Sequence, residues 1–320
     1  MSITTPSYRP DPYRTGISLA YTNRQLIADQ VLPRVQVEDY TFAWNRFNLA
    51  DRFTIPDTVI GRAGMANTVE FGITEESGTV VDHALATWVP QVDVERGAKT
   101  GYNPIDTTSV TLTELLLLRH EKEVADTVFT LANYPVTNRQ TLSGTDQFSN
   151  AASKPYDLIM TALEAMIMRP NILVMNRPGF RALCNNVQII TKTATTGSGT
   201  SSTVNADGPT VTAQQIADLF EVDQVIVGNA RVNTADFGAT PVLSRCWGNH
   251  MAMLYRGGNI VSATPNDITF GFVAEFRTRE AFTKFEPERG RLGSTYTRVA
   301  ETKRPIIAAS DVGYFLQNVI

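Results

Sequence analysis

The sequence predicts a mixed helix and sheet (α+β) fold, and three features of its hydrophobic pattern support this. Residues 111–131 form one long stretch with helical periodicity. Residues 171–227 alternate between short apolar runs and helical patterns, which indicates a compact α/β lobe. Residues 250–320 contain mainly strand-like runs separated by glycine turns. Because 320 residues is long for one simple core, we expect two lobes, or one lobe with large excursions.

The composition is that of an ordinary folded protein, with 42% hydrophobic and 19% charged residues. With a net charge of -4, the protein has no excess positive charge to attract nucleic acid or an anionic membrane. Any contact with DNA would therefore have to be local. The sequence has no run of about 18 apolar residues and no apolar core of a signal peptide. Its two cysteines, Cys184 and Cys246, are too few for a disulfide framework and fit a reducing cytoplasm.

The N-terminal segment shows little sign of a core of its own. Residues 1–20 hold three prolines and little periodicity, so we expect an extended arm. Residues 22–30 could form a short helix that buries Leu26 and Ile27. Residues 40–45 alternate aromatic and smaller side chains, which is typical of a half-buried strand. Either the body of the same chain or a neighbouring subunit must supply the surface on which this strand packs.

Residues 51–98 alternate strand-like runs, at 68–73 and 86–94, with glycines, and they contain no helix signal. This pattern predicts a long two-stranded excursion, which is only marginally stable alone in water. Packing between molecules explains such a segment more simply than packing in its own core.

We expect the long helix to begin at Thr111 and to end at Leu131. Thr111 and Glu114 have the S/T-x-x-E spacing of a capping box. Pro135 cannot continue a helix, which sets the other end. Glu121 falls on the apolar side, where a lone carboxylate is costly unless it is paired, and we interpret it as a partly exposed edge position.

The C-terminal half alternates helices and strands. We expect a helix that begins at Pro155, a strand at 171–175 and a helix capped by Asn176. A mobile surface loop at 191–210 then precedes a helix with a capping box at Thr212 and Gln215 and a strand at 222–227. We also expect turns at Gly257 with Gly258 and at Gly290, and a C-terminal segment, 312–320, that packs against the body.

No group of residues indicates a catalytic, cofactor or metal site. The three histidines, His83, His120 and His250, lack metal-ligand spacing. Cys246 and His250 could form a nucleophile pair only on a helix, and no glycine-rich elbow or third orienting group accompanies them. We therefore interpret both cysteines as buried core, Cys246 beside Trp247.

Two further patterns have ordinary explanations. The glycines at 197 and 199 lack the remainder of a phosphate-binding loop. Glu286 and Glu288 are more typical of a solvated charged corner than of a catalytic carboxyl pair.

The order and spacing of these blocks resemble the major capsid proteins of tailed bacteriophages, whose shell fold is shared with encapsulins. The resemblance covers nearly the whole chain, and no single motif in it is diagnostic. It is carried by residues 23–40, the glycine-bearing strands up to 95–97, and residues 128–135, 171–186, 216–231 and 246–255.

The resemblance implies five regions: an N-terminal arm (1–50), an extended β-hairpin loop (51–98), a peripheral domain with the spine helix (99–168), an α/β axial domain (169–262) and a return to the peripheral domain (263–320). It implies a structural subunit, not an enzyme, that self-assembles without a cofactor into hexamers and pentamers of an icosahedral capsid enclosing double-stranded DNA. The arm and the extended loop would contact neighbouring subunits and hold them together. The virion capsid would be assembled in the cytoplasm of a host bacterium.

Two departures from the family pattern change these expectations. Some relatives carry a long cleavable scaffolding segment before the arm, whereas this arm begins almost at Met1, so we expect a separate scaffold protein as well as a portal. Others cross-link their subunits covalently through a lysine in the extended loop. Because no lysine occurs between Asp51 and Glu95, we expect no isopeptide link from this loop. A decoration protein and non-specific contact with packaged DNA are compatible with this interpretation, and no membrane partner is expected.

Two alternatives stay open on the sequence. The first is an encapsulin-like compartment for cargo enzymes. The second is a soluble cytosolic α/β enzyme that uses Cys246.

Overall fold

The computed structural model describes residues 10–23, 25–47, 54–62, 64–68, 73–196, 211–236, 238–257 and 268–320. The helices are α1 (Pro12–Ala20), α2 (Ala28–Val31), α3 (Gln91–Thr100), α4 (Pro104–Val128), α5 (Pro155–Ala165), α6 (Arg177–Asn185), α7 (Val187–Thr196) and α8 (Ala213–Phe220). The strands are β1 (Arg34–Gln36), β2 (Thr41–Phe47), β3 (Ile73–Thr79), β4 (Val81–Pro90), β5 (Arg139–Thr141), β6 (Ile172–Asn176), β7 (Gln224–Gly228), β8 (Arg231–Asn233), β9 (Leu243–Arg245), β10 (Met251–Leu254), β11 (Gly271–Glu286), β12 (Ser294–Ile307) and β13 (Gly313–Gln317).

A five-stranded mixed sheet, in the order β5-β13-β10-β6-β7, has a core on each face. Along β6, Leu173 and Met175 point into a core formed with α5, α6, α7 and α8. The alternate residues Ile172 and Val174 point into a second core, formed with α2 and the C-terminal half of α4. A strand that is buried on both faces has a continuous apolar sequence, and for this reason residues 171–175 could be predicted as a strand.

The second large sheet has four strands in the order β1-β11-β12-β4. Its two long strands, β11 and β12, form an antiparallel hairpin whose turn contains Gly290 with a φ of 84°. The N-terminal half of α4 packs on this sheet through Leu112 and Leu116, which meet Ala281 and Val299. Helix α4 therefore lies against both sheets, its N-terminal half on this one and its C-terminal half on the five-stranded sheet.

Strands β2 and β3 pair in an antiparallel register from Thr41 opposite Thr79 to Phe47 opposite Ile73. Phe42 and Trp44 of β2 are buried in a small core with residues of β1, β11 and β12. The same chain therefore supplies the surface on which the aromatic strand packs.

The N-terminal region differs from the expected extended arm, because residues 12–20 form helix α1. The Asp11 side chain caps it by accepting hydrogen bonds from the backbone N–H groups of Tyr13 and Arg14, and Pro12 suits the first helical turn. Residues 1–9 lie outside the described residues. The helix expected over 22–30 is reduced to the single turn α2, although Ile27 is buried as predicted.

The long helix begins seven residues before Thr111, so the predicted start was wrong. Asn103 is the N-cap, its side chain accepting a hydrogen bond from the backbone N–H of Ile105, and Pro104 follows it. Thr111 is inside the helix, where its hydroxyl donates to the backbone carbonyl of Thr107 at 3.0 Å. At the other end the α-helix stops at Val128, and residues 131–133 form a separate 3-10 turn.

The region at 51–98 also contains a helix that the sequence did not indicate. The strand expected over 86–94 ends at Pro90, and α3 follows it until Gly101, which has a φ of 71°. The strand expected over 68–73 lies mostly outside the described residues. The excursion is two-stranded, but its strands are β2 and β3, which pair across the intervening residues 48–72.

The surface loop expected over 191–210 is a helix at its start, because α7 continues to Thr196. Ile189 is fully buried and anchors α7 to the core, which the run of threonines after it concealed. Residues 197–210 and Gly258 lie outside the described residues. The Asn176 cap, the capping box at Thr212 and Gln215 and the buried C-terminal strand are confirmed.

Candidate assembly surfaces and their anchors

The most exposed apolar segment lies between β2 and β3. Every residue that the structure describes between 54 and 68 is exposed. Ile55 and Met65 are each 92% exposed, Val59 is 80% exposed and Ile60 is 51% exposed. Burying one such side chain is worth about 1.5–3 kcal/mol, so this segment gains stability from any apolar surface that covers it.

Strands β2 and β3, which flank this segment, pack closely against each other, and β2 also packs on the four-stranded sheet. The rings of Phe42 and Trp44 lie 5.6 Å apart, and both cover Gly78 on the paired strand. A Cβ atom at Gly78 would lie 2.9 Å from the Trp44 ring, so a larger residue would displace it. The exposed residues 54–68 therefore lie between two strands that pair and pack closely against each other.

Glu121 anchors the N-terminal segment to helix α4. Its carboxylate is fully buried and accepts hydrogen bonds from the backbone N–H groups of Ile27 at 2.9 Å and Ala28 at 2.8 Å. It also accepts one from the indole Nε1–H of Trp247 at 2.6 Å. Burial raises the pKa of Glu121, and these three donors oppose that rise. The expectation of a partly exposed edge position was wrong, because donors distant in sequence satisfy the carboxylate.

A second anchor beside Glu121 is a cluster of charged side chains, in which Glu275, Arg279, Glu301 and Lys303 are buried and Asp29 is exposed. Arg34 of β1 donates to Asp29 and to Glu275, in both cases at 2.8 Å. The buried Glu301 lies between Arg34, Arg279 and Lys303. Three cations and three carboxylates thus balance, and they join the N-terminal segment to the four-stranded sheet. Burial lowers the pKa of Lys303 to about 8, although Glu301 opposes this.

His120 completes this cluster from helix α4. Its Nε2 lies 3.1 Å from the Asp29 carboxylate, and its Nδ1 has no hydrogen-bond partner among the described residues. Burial lowers the pKa of His120 to about 4, so the ring is neutral near pH 7 and donates from Nε2. It therefore acts as a structural hydrogen-bond donor.

The structure places the other residues considered for chemistry apart or in structural contacts. His83 Nε2 lies 3.8 Å from Glu123, and His250 Nδ1 accepts a hydrogen bond from the backbone N–H of Asn318 at 3.1 Å. Glu286 pairs with Lys284 at 3.1 Å at the exposed end of β11. Glu288 is exposed in the adjoining turn, and glycines 197 and 199 lie outside the described residues.

Both cysteines are buried free thiols, and burial raises the pKa of each to about 11. Such thiols are poor nucleophiles at neutral pH. Among the described residues, no group of three or more His, Cys, Asp or Glu side chains could hold a metal ion. No described helix combines the length and hydropathy required to cross a bilayer.

The anchors of the N-terminal segment were not predicted from the sequence. Glu301 is far in the chain from Asp29 and Arg34, and the three residues have no motif spacing. The available signal was the position of Glu121 on an apolar face, which requires a buried partner.

Comparisons with known proteins agree with the predicted fold. No protein-family model matches the chain. The major capsid protein of Pseudomonas phage JBD67 is 36% identical over 310 residues, covering 97% of each chain. A phage-related protein from Bordetella bronchiseptica RB50 has a similar structure, with a TM-score of 0.74, 22% identity and 98% coverage of both chains. The capsid structure of cyanophage P-SCSP1u gives a TM-score of 0.59 at 11% identity, with coverage of 93% of this chain and 89% of that chain.

These similarities decide between the interpretations that the sequence left open. The alignment at 36% identity covers nearly the full length of both chains, so it includes the two large sheets and helix α4. The structural interpretation is supported over the encapsulin-like compartment and over an enzyme that uses Cys246. The chain therefore belongs to the phage major capsid proteins, the structural proteins that associate with copies of themselves to form the shell of the virion.

Proposed function

We propose that copies of this chain form hexamers and pentamers, which close an icosahedral capsid around the double-stranded DNA genome of a phage. The observation that carries this proposal is the exposed apolar segment at 54–68. Four large apolar side chains there have no core of their own among the described residues. A stable interface buries about 1,600 Å² in total, and each subunit of a shell would make several such interfaces.

We propose that the five regions of the chain have the roles that the resemblance to phage major capsid proteins implies. Residues 1–50 act as the N-terminal arm and 51–98 as the extended loop, and both contact neighbouring subunits. Residues 99–168 and 263–320 form the peripheral domain, and 169–262 form the axial domain. The anchors at Glu121 and Arg34 support this proposal, because they bond the N-terminal segment to helix α4 and to the four-stranded sheet where it joins the body.

The test removes the apolar surface of the extended loop without changing its polar residues. Ile55→Ser with Met65→Gln replaces two side chains that are each 92% exposed, so the fold of the subunit is preserved. We expect the variant to stay as soluble subunits with an unchanged unfolding temperature, whereas the parent forms closed shells, rings or tubes by negative-stain microscopy. Thr58→Ser, in the same exposed segment, is the matched control and should assemble. Normal shells from the double variant would contradict the proposal.

The proposal extends to the remaining partners and to the place of assembly. Assembly takes place in the cytoplasm of the host bacterium, with a separate scaffold protein and a portal; a decoration protein is compatible with the exposed surfaces. The two buried free thiols suit a reducing compartment. Packaged DNA is contacted non-specifically, since a net charge of -4 restricts such contact to local basic sites.

We propose that no lysine of the extended loop forms an isopeptide link to a neighbouring subunit, because no lysine occurs between Asp51 and Glu95. Boiled particles should therefore run as single chains on a denaturing gel. A ladder of covalent multimers that maps to this loop would overturn the proposal.

A further inference from the structure

Strands β8 and β9 form a separate two-stranded antiparallel ribbon. In its register Arg231 is opposite Arg245, Val232 is opposite Ser244, and Asn233 is opposite Leu243. Val232 packs against the core that includes Trp247. Because successive side chains of a strand point to opposite faces, the two arginines share the face turned away from that core.

This placement puts two positive charges side by side. Directly opposite residues of an antiparallel pair have Cβ atoms about 4.5–5.5 Å apart, and like charges there destabilise the pair. Arg231 is exposed and Arg245 is half-buried. Within the described part of the chain, neither guanidinium has an ion pair or a hydrogen-bond partner, unlike Arg34 in the charged cluster. No carboxylate of the described residues therefore neutralises the pair.

We propose that the face of the ribbon that carries Arg231 and Arg245 binds the phosphate backbone of the enclosed nucleic acid. The proposal rests on the proposed function, in which the shell surrounds DNA. A guanidinium presents a planar fork of donors that matches the oxygens of a phosphate, and two adjacent forks can share one phosphate or bind successive ones. A DNA strand offers repeated phosphates without a fixed register, which suits a contact that reads no sequence.

The experiment measures binding of a fluorescent DNA duplex of about 30 base pairs to the full-length protein, over a range of salt concentrations. The test variant is Arg231→Gln with Arg245→Gln. The matched control is Arg96→Gln with Arg181→Gln, which removes the same charge from two exposed arginines on α3 and α6. Shell formation by each variant is followed separately by microscopy.

Loss of two phosphate contacts should lower the slope of log affinity against log salt by about 1.8 and weaken binding at about 50 mM salt ten- to a hundredfold. The control should keep the parent's slope to within about 0.5. Normal shells from the test variant, combined with this loss of DNA binding, would support the proposal.

Three outcomes would overturn it: no DNA binding by the parent protein, equal effects of the two double variants, or unchanged DNA binding with loss of shells. The last result would place the ribbon against another copy of the chain and would leave the proposed function intact. Failure of the parent to assemble would count against the proposed function alone, because DNA binding is measured independently.

Discussion

The carboxylate of Glu121 accepts a hydrogen bond from the indole Nε1–H of Trp247 across 2.6 Å, although the two residues are 126 positions apart. The same carboxylate binds the backbone N–H groups that open helix α2. One buried side chain of helix α4 thus holds together the N-terminal segment and the connection that leads into β10 of the five-stranded sheet. The geometry of the N-terminal segment therefore depends on this residue.

The first prediction concerns Glu121→Gln. The amide cannot accept all three hydrogen bonds, and its own NH₂ group would face one of the donors. Leaving a buried donor unsatisfied costs about 1–3 kcal/mol, so we expect a loss of this size in the free energy of unfolding of unassembled subunits, measured in urea.

The control for this prediction is Glu164→Gln, an exposed position on α5, which should change stability by less than about 0.5 kcal/mol. Combining Glu121→Gln with Trp247→Phe should cost less than the sum of the two single changes, since both disrupt one hydrogen bond. Strict additivity would show that the two side chains do not act together.

The contrast between local and distant partners explains what could be predicted from the sequence. Asn176 caps Gly179, and Thr212 caps Gln215, so each cap and its partner lie within three residues and form a readable motif. The donors to Glu121 are 93, 94 and 126 positions away, and no spacing reveals them. The capsid fold was recognisable because it depends on the order of apolar blocks.

The error at the start of α4 has a different cause. Asn103 followed by Pro104 is a valid helix start, but the residues after it are mainly polar, and the first buried leucine is Leu112. The apolar periodicity therefore begins about two turns after the backbone helix does. The pair Thr111 and Glu114 has capping-box spacing by coincidence, because Thr111 bonds backward to Thr107.

The second prediction is a pH dependence that His120 controls. Its pKa is about 4 in the folded protein against an ordinary value of 6.5, so the unfolded chain binds a proton first as the pH falls. The stability contributed by neutral His120 is thus complete above pH 6.5 and is lost between pH 6.5 and 4, by about 3 kcal/mol. Glu121, whose pKa is raised, opposes part of this loss, because the folded state binds its proton more readily.

His120→Gln retains a donor for Asp29 but does not titrate. The difference in unfolding free energy between parent and variant should therefore change by about 3 kcal/mol from pH 7 to pH 4. Thr107→Ser, at an exposed position on the same helix, adds and removes no titratable group and should follow the parent. If parent and His120→Gln gave parallel pH profiles, the assignment of the transition to His120 would be wrong.

The third prediction uses two glycines in contrasting surroundings. A Cβ atom at Gly228 would lie 2.4 Å from Cδ1 of the fully buried Trp247. Gly228→Ala should displace the indole from Glu121 and destabilise the subunit by about 3 kcal/mol or more. Gly16→Ala, at an exposed position of helix α1 and with no atom inside 4 Å, should instead stabilise by about 0.5–1 kcal/mol. Both are measured as urea unfolding curves, and equal effects would contradict the packing argument.

The fourth prediction concerns the thiols of Cys184 and Cys246. Both are buried and have pKa values raised to about 11, so native subunits should react with a thiol reagent at pH 8 far more slowly than unfolded chains. Both should be labelled at once in guanidinium chloride. Cys246→Ala removes a buried sulfur beside Trp247 and should cost about 1–2 kcal/mol of stability while shells still form. Rapid labelling of the native protein at Cys246 would show an accessible thiolate, and it would reopen the enzymatic alternative that the capsid fold disfavours.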